Sequence, residues 1–151
     1  CALCNGQDVP KLEASFVPLG SWCGLANCLR DMNMRTEAFP FDWVRTDIAG
    51  VLHFVSTGFV DFLECPDAIF GYSNKTYCGR HHSFWHDDLG ASETRDKYRR
   101  RIERFQQNPS TKIIFMYACN SSTEASDVEK LFRLLQESFA CAGRKIWLLV
   151  I

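Results

Sequence analysis

Hydrophobic and polar positions change period several times along the chain, and each change marks an element. The mostly apolar stretch from Ala14 to Leu19 predicts a buried strand. After the Leu19-Gly20-Ser21 turn, Trp22, Leu25, Ala26, Leu29 and Met32 are spaced to share one helical face, with Ser21 as the expected cap. A polar turn, Asn33 to Glu37, leads into the aromatic stretch Phe39-Pro40-Phe41-Asp42-Trp43. Thr46 or Asp47 is set to cap a second helix, with Ile48, Val51, Leu52 and Val55 inward and Gly58 as its stop. Phe59, Phe62 and Leu63 continue the apolar face. Residues 65–92 hold no sustained period; this stretch, rich in Gly, Asp, His and aromatics, is the expected loop region and home of function.

The pattern then sharpens. Thr94 to Gln107 predicts a helix with Tyr98, Ile102 and Phe105 as its stripe, ended by Asn108-Pro109. Lys112 to Cys119 is a strand; Ser126-x-x-Glu129 is a capping box; Val128, Leu131, Phe132, Leu135 and Phe139 make an amphipathic helix ended by Gly143; and Lys145 to Ile151 is another strand. Strand, helix and strand within about 40 residues fit a right-handed βαβ crossover. The expectation is a single α/β domain over 1–151, a mostly parallel sheet flanked by helices, with 1–12 as an N-terminal extension. Ligands gather at the carboxyl ends of parallel strands, so Cys23 and Asn120, each following a strand, are expected on one rim.

Composition changes this picture little. The chain has 151 residues, enough for one core, and a net charge of −1 that gives no reason to expect nucleic acid or an acidic membrane as partner. Its longest apolar runs are too short to span a bilayer. It begins at Cys1 without a methionine and stops inside an apolar run, so a removed leader, from import or secretion, and further chain beyond Ile151 are expected. The eight cysteines are compatible with disulfides, and the sequons at Asn74 and Asn120 with a secretory setting, but a full core does not need staples and the compartment stays open. Cys1-x-x-Cys4 is half a zinc site with no second half.

Candidate chemistry begins at Cys23. A sulfur at the start of a helix sits near unpaired N–H groups and the positive end of the helix dipole, which favour a thiolate; the alternative is a small buried core residue. A thiolate nucleophile needs an imidazole as base and later acid, and "GRHHSFWHDDLG" supplies His81, His82 and His86, with Asp87 and Asp88 placed to orient one. The same cluster is open to a metal-site reading or to a plain solvated loop. Asp42, among three large rings and a proline, reads as part of a rigid structural corner with Trp43. The basic run "RDKYRRRIERF" reads as a solvated helix face or an anion contact.

On the blocks "PLGSWCGLANCLRDMNMRTEAFPFDWV", "GFVDFL", "HHSFWHDDL", "KYRRRIERF" and "KIIFMY", the chain resembles an uncharacterised, largely microbial family of papain-like cysteine peptidases. The resemblance implies Cys23 as nucleophile and a histidine of 82–86 as its partner, His86 being preferred to His82 because Asp87 follows it. Asn120 as the orienting third member rests on its rim position alone.

The leading expectation is a thiol hydrolase or transferase acting on a peptide or acyl substrate, with backbone N–H groups around Gly20 and Ser21 as oxyanion donors and with no metal or cofactor assigned. One alternative is a non-catalytic subunit of a larger assembly, using Phe70, Tyr72, Tyr77, Phe84 and Trp85 as a partner surface. Another is a phosphate- or nucleotide-sugar-binding domain built on the Gly-Ser turn and the arginine-rich helix.

Overall fold

The computed structural model describes residues 14–70, 75–141 and 143–151. In chain order its elements are β1 (Ser15–Pro18), α1 (Gly24–Asp31), β2 (Val44–Thr46), α2 (Ile48–Ser56), β3 (Asp67–Phe70), β4 (Lys75–Cys78), β5 (His82–Phe84), α3 (Ser92–Gln106), β6 (Lys112–Tyr117), α4 (Val128–Ser138) and β7 (Lys145–Val150). Short 3-10 turns at Pro40–Trp43 and Ser122–Asp127 lead into β2 and α4. The expected N-terminal extension, Cys1-x-x-Cys4, Tyr72 and Asn74 lie outside the described residues.

The α/β expectation is met. A parallel sheet of three strands runs β1-β6-β7, with Val17 beside Phe115 and Phe115 beside Leu148, and α4 makes the crossover between β6 and β7. Beside it stands a second sheet that periodicity did not reveal: four antiparallel strands in the order β2-β5-β4-β3, registered by Val44 against Phe84 and Tyr77 against Phe84. Three of its strands fall in the region read as irregular. They are three or four residues long, too short for a period of two to stand out among glycines and polar residues.

Helix starts differ from expectation in two places. Ser21 does not cap α1, which begins later at Gly24 with Cys23 in the cap position. Ser21 instead adopts φ +73°, and its hydroxyl donates to the Ala118 carbonyl across the sheet. The shift turns Trp22 and Met32 outward, 58% and 51% exposed, while Leu25, Ala26 and Leu29 pack inward. The Ser126–Glu129 box is also absent: the Ser126 hydroxyl donates to the Thr123 carbonyl inside the 3-10 turn at 3.0 Å. Asp47 does cap α2, accepting the Gly50 N–H at 2.8 Å.

Between the sheets lies an aromatic core. Phe41 meets Phe59, Phe62 and Phe105 at ring-centroid distances of 5.4, 5.8 and 6.1 Å, and Phe62 meets Phe84 at 5.6 Å. Edge-to-face arrangements dominate, as ring quadrupoles favour. Tyr77 and Phe84, expected on a partner surface, are buried in this core, whereas Phe70 and Trp85 are exposed. No helix among the described residues is long and apolar enough to cross a membrane.

Candidate active site

The Gly-Ser turn after β1 is tied to both sheets. Gly20 (φ +96°) is packed so closely on Thr46 and Phe41 that a side chain there would strike the Thr46 methyl. The Ser21 N–H donates to the Thr46 carbonyl at the end of β2 (3.0 Å), and its hydroxyl reaches Ala118 at the end of β6. This N–H is therefore spent. Ser21 cannot be the oxyanion donor expected from sequence, and Gly20 contributes the turn itself. Cys23 follows, half-buried, as the residue that opens α1; the first N–H groups of that helix have no carbonyl of their own to bind. Trp22 folds its indole over Gly24, where any side chain would collide with the ring.

The opposite wall comes from the antiparallel sheet. Pairing of β2 with β5 sets Trp43 and His86, just outside the paired residues, edge to face with centroids 6.0 Å apart. Arg45 lies over the Trp85 ring at 5.7 Å. Between the walls is a pocket of about 350 Å³ lined by Ser21, Trp22, Cys23, Trp43, Val44, Arg45, Trp85, His86 and Asn120. Cys23, His86 and Asn120 thus share one cavity, although they come from three separate parts of the sequence.

Asn120 is held from behind by Glu124. The carboxylate of this buried residue accepts the Asn120 N–H at 2.6 Å and the Ile48 N–H at 3.3 Å, joining the loop after β6 to the start of α2. Burial pushes Glu124 up, but the donors from Asn120, Tyr117 and Ile48 outweigh it and hold its carboxyl below the usual range.

The expected orienting aspartates are committed elsewhere. Asp87 accepts from Lys97 Nζ at 2.5 Å and from the Tyr98 hydroxyl at 2.7 Å, and Asp88 accepts from the Tyr77 hydroxyl and the Gly90 N–H. Neither bonds an imidazole. His82 does not line the pocket either. It is buried in the core, stacked on Phe62 at 5.0 Å, and its Nε2–H donates to the Phe62 carbonyl at 2.6 Å. Burial pushes its pKa down to about 4, so it stays neutral. His81 lies against His53, ring centroids 4.5 Å apart and planes tilted by 31°, and is likewise outside the pocket.

Asp42 lies outside the pocket. Fully buried, it pairs with Arg35 Nη2 at 2.6 Å and accepts the Phe39 N–H at 3.0 Å, closing the corner that presents Trp43. Among the described residues, Cys23, Cys28, Cys65, Cys78, Cys119 and Cys141 are free thiols, and no group of three or more metal-ligating side chains converges. A free, half-buried Cys23 is not the sealed cysteine that a purely structural domain predicts. A larger cleft of about 730 Å³ runs between α2 and α4, but it holds one histidine and no cysteine.

Comparison with known proteins bears on the first wall directly. The family model described as "Putative papain-like cysteine peptidase (DUF1796)" matches residues 14–79, which include the Gly-Ser-x-Cys turn, Arg35 and the Phe41-Asp42-Trp43 corner. An uncharacterised protein of Acanthamoeba polyphaga mimivirus is 31% identical over 82% of this chain and 70% of its own length. The chain belongs to this family. No solved structure matches it. The family match contains Cys23 and stops short of His86 and Asn120, so those two join the site through geometry alone.

Several residues of the pocket had no signal in the sequence. Val44 and Arg45 carried no expectation, and Trp22 read as part of the apolar face of the first helix. Glu124 carries no motif at all; its role exists only because the 3-10 turn brings its carboxylate under Asn120 and beside the first N–H of α2.

Proposed function

We propose that the protein is a cysteine-dependent acyl hydrolase or acyl transferase, with Cys23 as nucleophile, His86 as general base and acid, and Asn120 as the residue that orients the imidazole. The observation that carries this reading is that Cys23, His86 and Asn120 line one cavity of about 350 Å³. Family membership supports Cys23 independently of that geometry.

In the proposed cycle His86 takes the Cys23 proton, and the sulfur attacks the acyl carbon. The resulting oxyanion is stabilised by the free N–H groups at the start of α1, which also contribute the positive end of the helix dipole. Collapse of the intermediate breaks the bond to the leaving group, which receives the proton from His86. Water, deprotonated by the same imidazole, then cleaves the thioester, and the thiol is restored. Trp22, Trp43 and Trp85 make the pocket walls largely apolar and aromatic, suited to a substrate side chain beside the reacting carbonyl.

The test is chemical. At neutral pH, iodoacetamide should alkylate Cys23 at least about tenfold faster than the exposed Cys28 and Cys141, read by peptide mass spectrometry. His86→Ala should remove that advantage, and His82→Gln should keep it. p-Nitrophenyl acetate should release about one equivalent of p-nitrophenolate in a burst and leave an acetyl group on Cys23. A Cys23 no faster than Cys28 would overturn the assignment.

A further inference from the structure

A second cavity, about 300 Å³, adjoins the Cys23 pocket and shares Trp43 and His86 with it; its remaining lining is Asp87, Lys97 and Arg101. Arg101, on α3, is only 9% exposed. Its Nη1 is sealed from solvent without an acceptor, and among the described residues its guanidinium forms no ion pair within 4.0 Å. The Tyr98 ring lies 4.9 Å away and supplies a π face but no lone pair. Both oxygens of Asp87 accept from Lys97 and Tyr98; Asp42 Oδ2 is paired with Arg35, and its buried Oδ1 has no partner but forms no ion pair with Arg101 within 4.0 Å. A buried guanidinium without an acceptor is costly, and its planar fork matches a two-oxygen anion. Beside it Lys97 adds a second cation, while Asp87 is the one carboxylate in the lining.

We infer that this cavity binds an oxyanion, a carboxylate or a phosphate, seated on Arg101 and Lys97, and that substrates of Cys23 carry such a group on the far side of His86. The substrate half of this inference rests on the reading of Cys23 as nucleophile; the anion site does not.

The experiment compares iodoacetate with iodoacetamide, two alkylating agents that differ by a negative charge. At Cys23 the ratio of their rates should exceed the ratio at Cys28 by about fivefold or more, and it should fall to the Cys28 value in Arg101→Gln and in Lys97→Gln. Circular dichroism checks that Arg101→Gln folds; Lys97→Gln, at a partly exposed position, keeps the test open if it does not. Added inorganic phosphate should slow iodoacetate more than iodoacetamide. Stronger protection by phosphate than by acetate points to a phosphate-bearing substrate, and the reverse to a carboxylate. A ratio equal to that of Cys28, or one unchanged in the folded variants, overturns the site. If both reagents are slow at Cys23, the nucleophile reading fails instead. The anion site is then judged in Cys23→Ser, where inorganic phosphate should still change tryptophan fluorescence and Lys97→Gln should abolish that change.

Discussion

Cys65 Sγ lies 4.0 Å from His82 Nε2, a second cysteine–histidine neighbourhood in the same molecule as Cys23 and His86. Its surroundings make it inert. Burial, followed by the neighbouring Cys78, pushes the Cys65 thiol up to about 11, and burial pushes His82 down to about 4, so both are neutral at pH 7. Cys65 is therefore not expected among the fast-labelling thiols. The histidine has a further consequence. Its folded pKa lies below the ordinary 6.5, so the unfolded chain binds the proton first as pH falls. The stability His82 contributes is complete above pH 6.5 and is lost progressively on the way down to about pH 4. The loss amounts to about 3 kcal/mol at most. Urea midpoints across that range should show the slope in the wild type and a flatter one in His82→Gln.

At the scale of elements, the site depends on two short joints. One is the cap of α2: Asp47→Ala removes the acceptor of the Gly50 N–H and should cost about 1 kcal/mol, measured by chemical denaturation. The other is the Glu124 carboxylate, which satisfies N–H groups of both Asn120 and Ile48. Glu124→Ala leaves these buried or half-buried donors without a partner and should cost about 2 kcal/mol. It should also slow Cys23 alkylation less than His86→Ala does, because it loosens Asn120 without removing the proposed base. A variant with normal stability would show that water replaces the carboxylate and that the joint is not structural.

On the scale of the whole molecule, the pocket is a junction between two sheets. The parallel sheet supplies Cys23 and Asn120 from the carboxyl ends of β1 and β6, and the antiparallel sheet supplies Trp43, Trp85 and His86. Ser21 is bonded to both, through Thr46 at the end of β2 and Ala118 beyond β6. Ser21→Ala should therefore lower the Cys23 labelling rate while circular dichroism stays native, since it frees the turn without touching the aromatic core. A labelling rate equal to the wild type would show that Gly20 and the Ser21 backbone hold the turn by themselves.

Much of this was written in local pattern. Long amphipathic segments define α3, α4, β6 and β7: of the α3 stripe, Tyr98 and Phe105 are buried and Ile102 half-buried against the same core, though Arg101, which the pattern read as polar, is buried beside them. The turn at Gly20 and the position of Cys23 at a helix start are also local, and so was the expectation that Cys23 and Asn120 share a rim. The antiparallel sheet was not legible, since strands of three or four residues are specified by their partners across the sheet and not by their own period. Which histidine shares a pocket with Cys23 was decided by tertiary structure for a related reason. His82 and His86 are four residues apart in sequence, but β5 directs the first into the core and its end leaves the second in the pocket. The aspartate that follows His86 in sequence is claimed by Lys97 and Tyr98 from α3, a competition between distant side chains that no local pattern contains. Residue types and their order determined which chemistry was available to this chain; the register of β2 on β5 and the packing of α3 decided which side chains can take part in it.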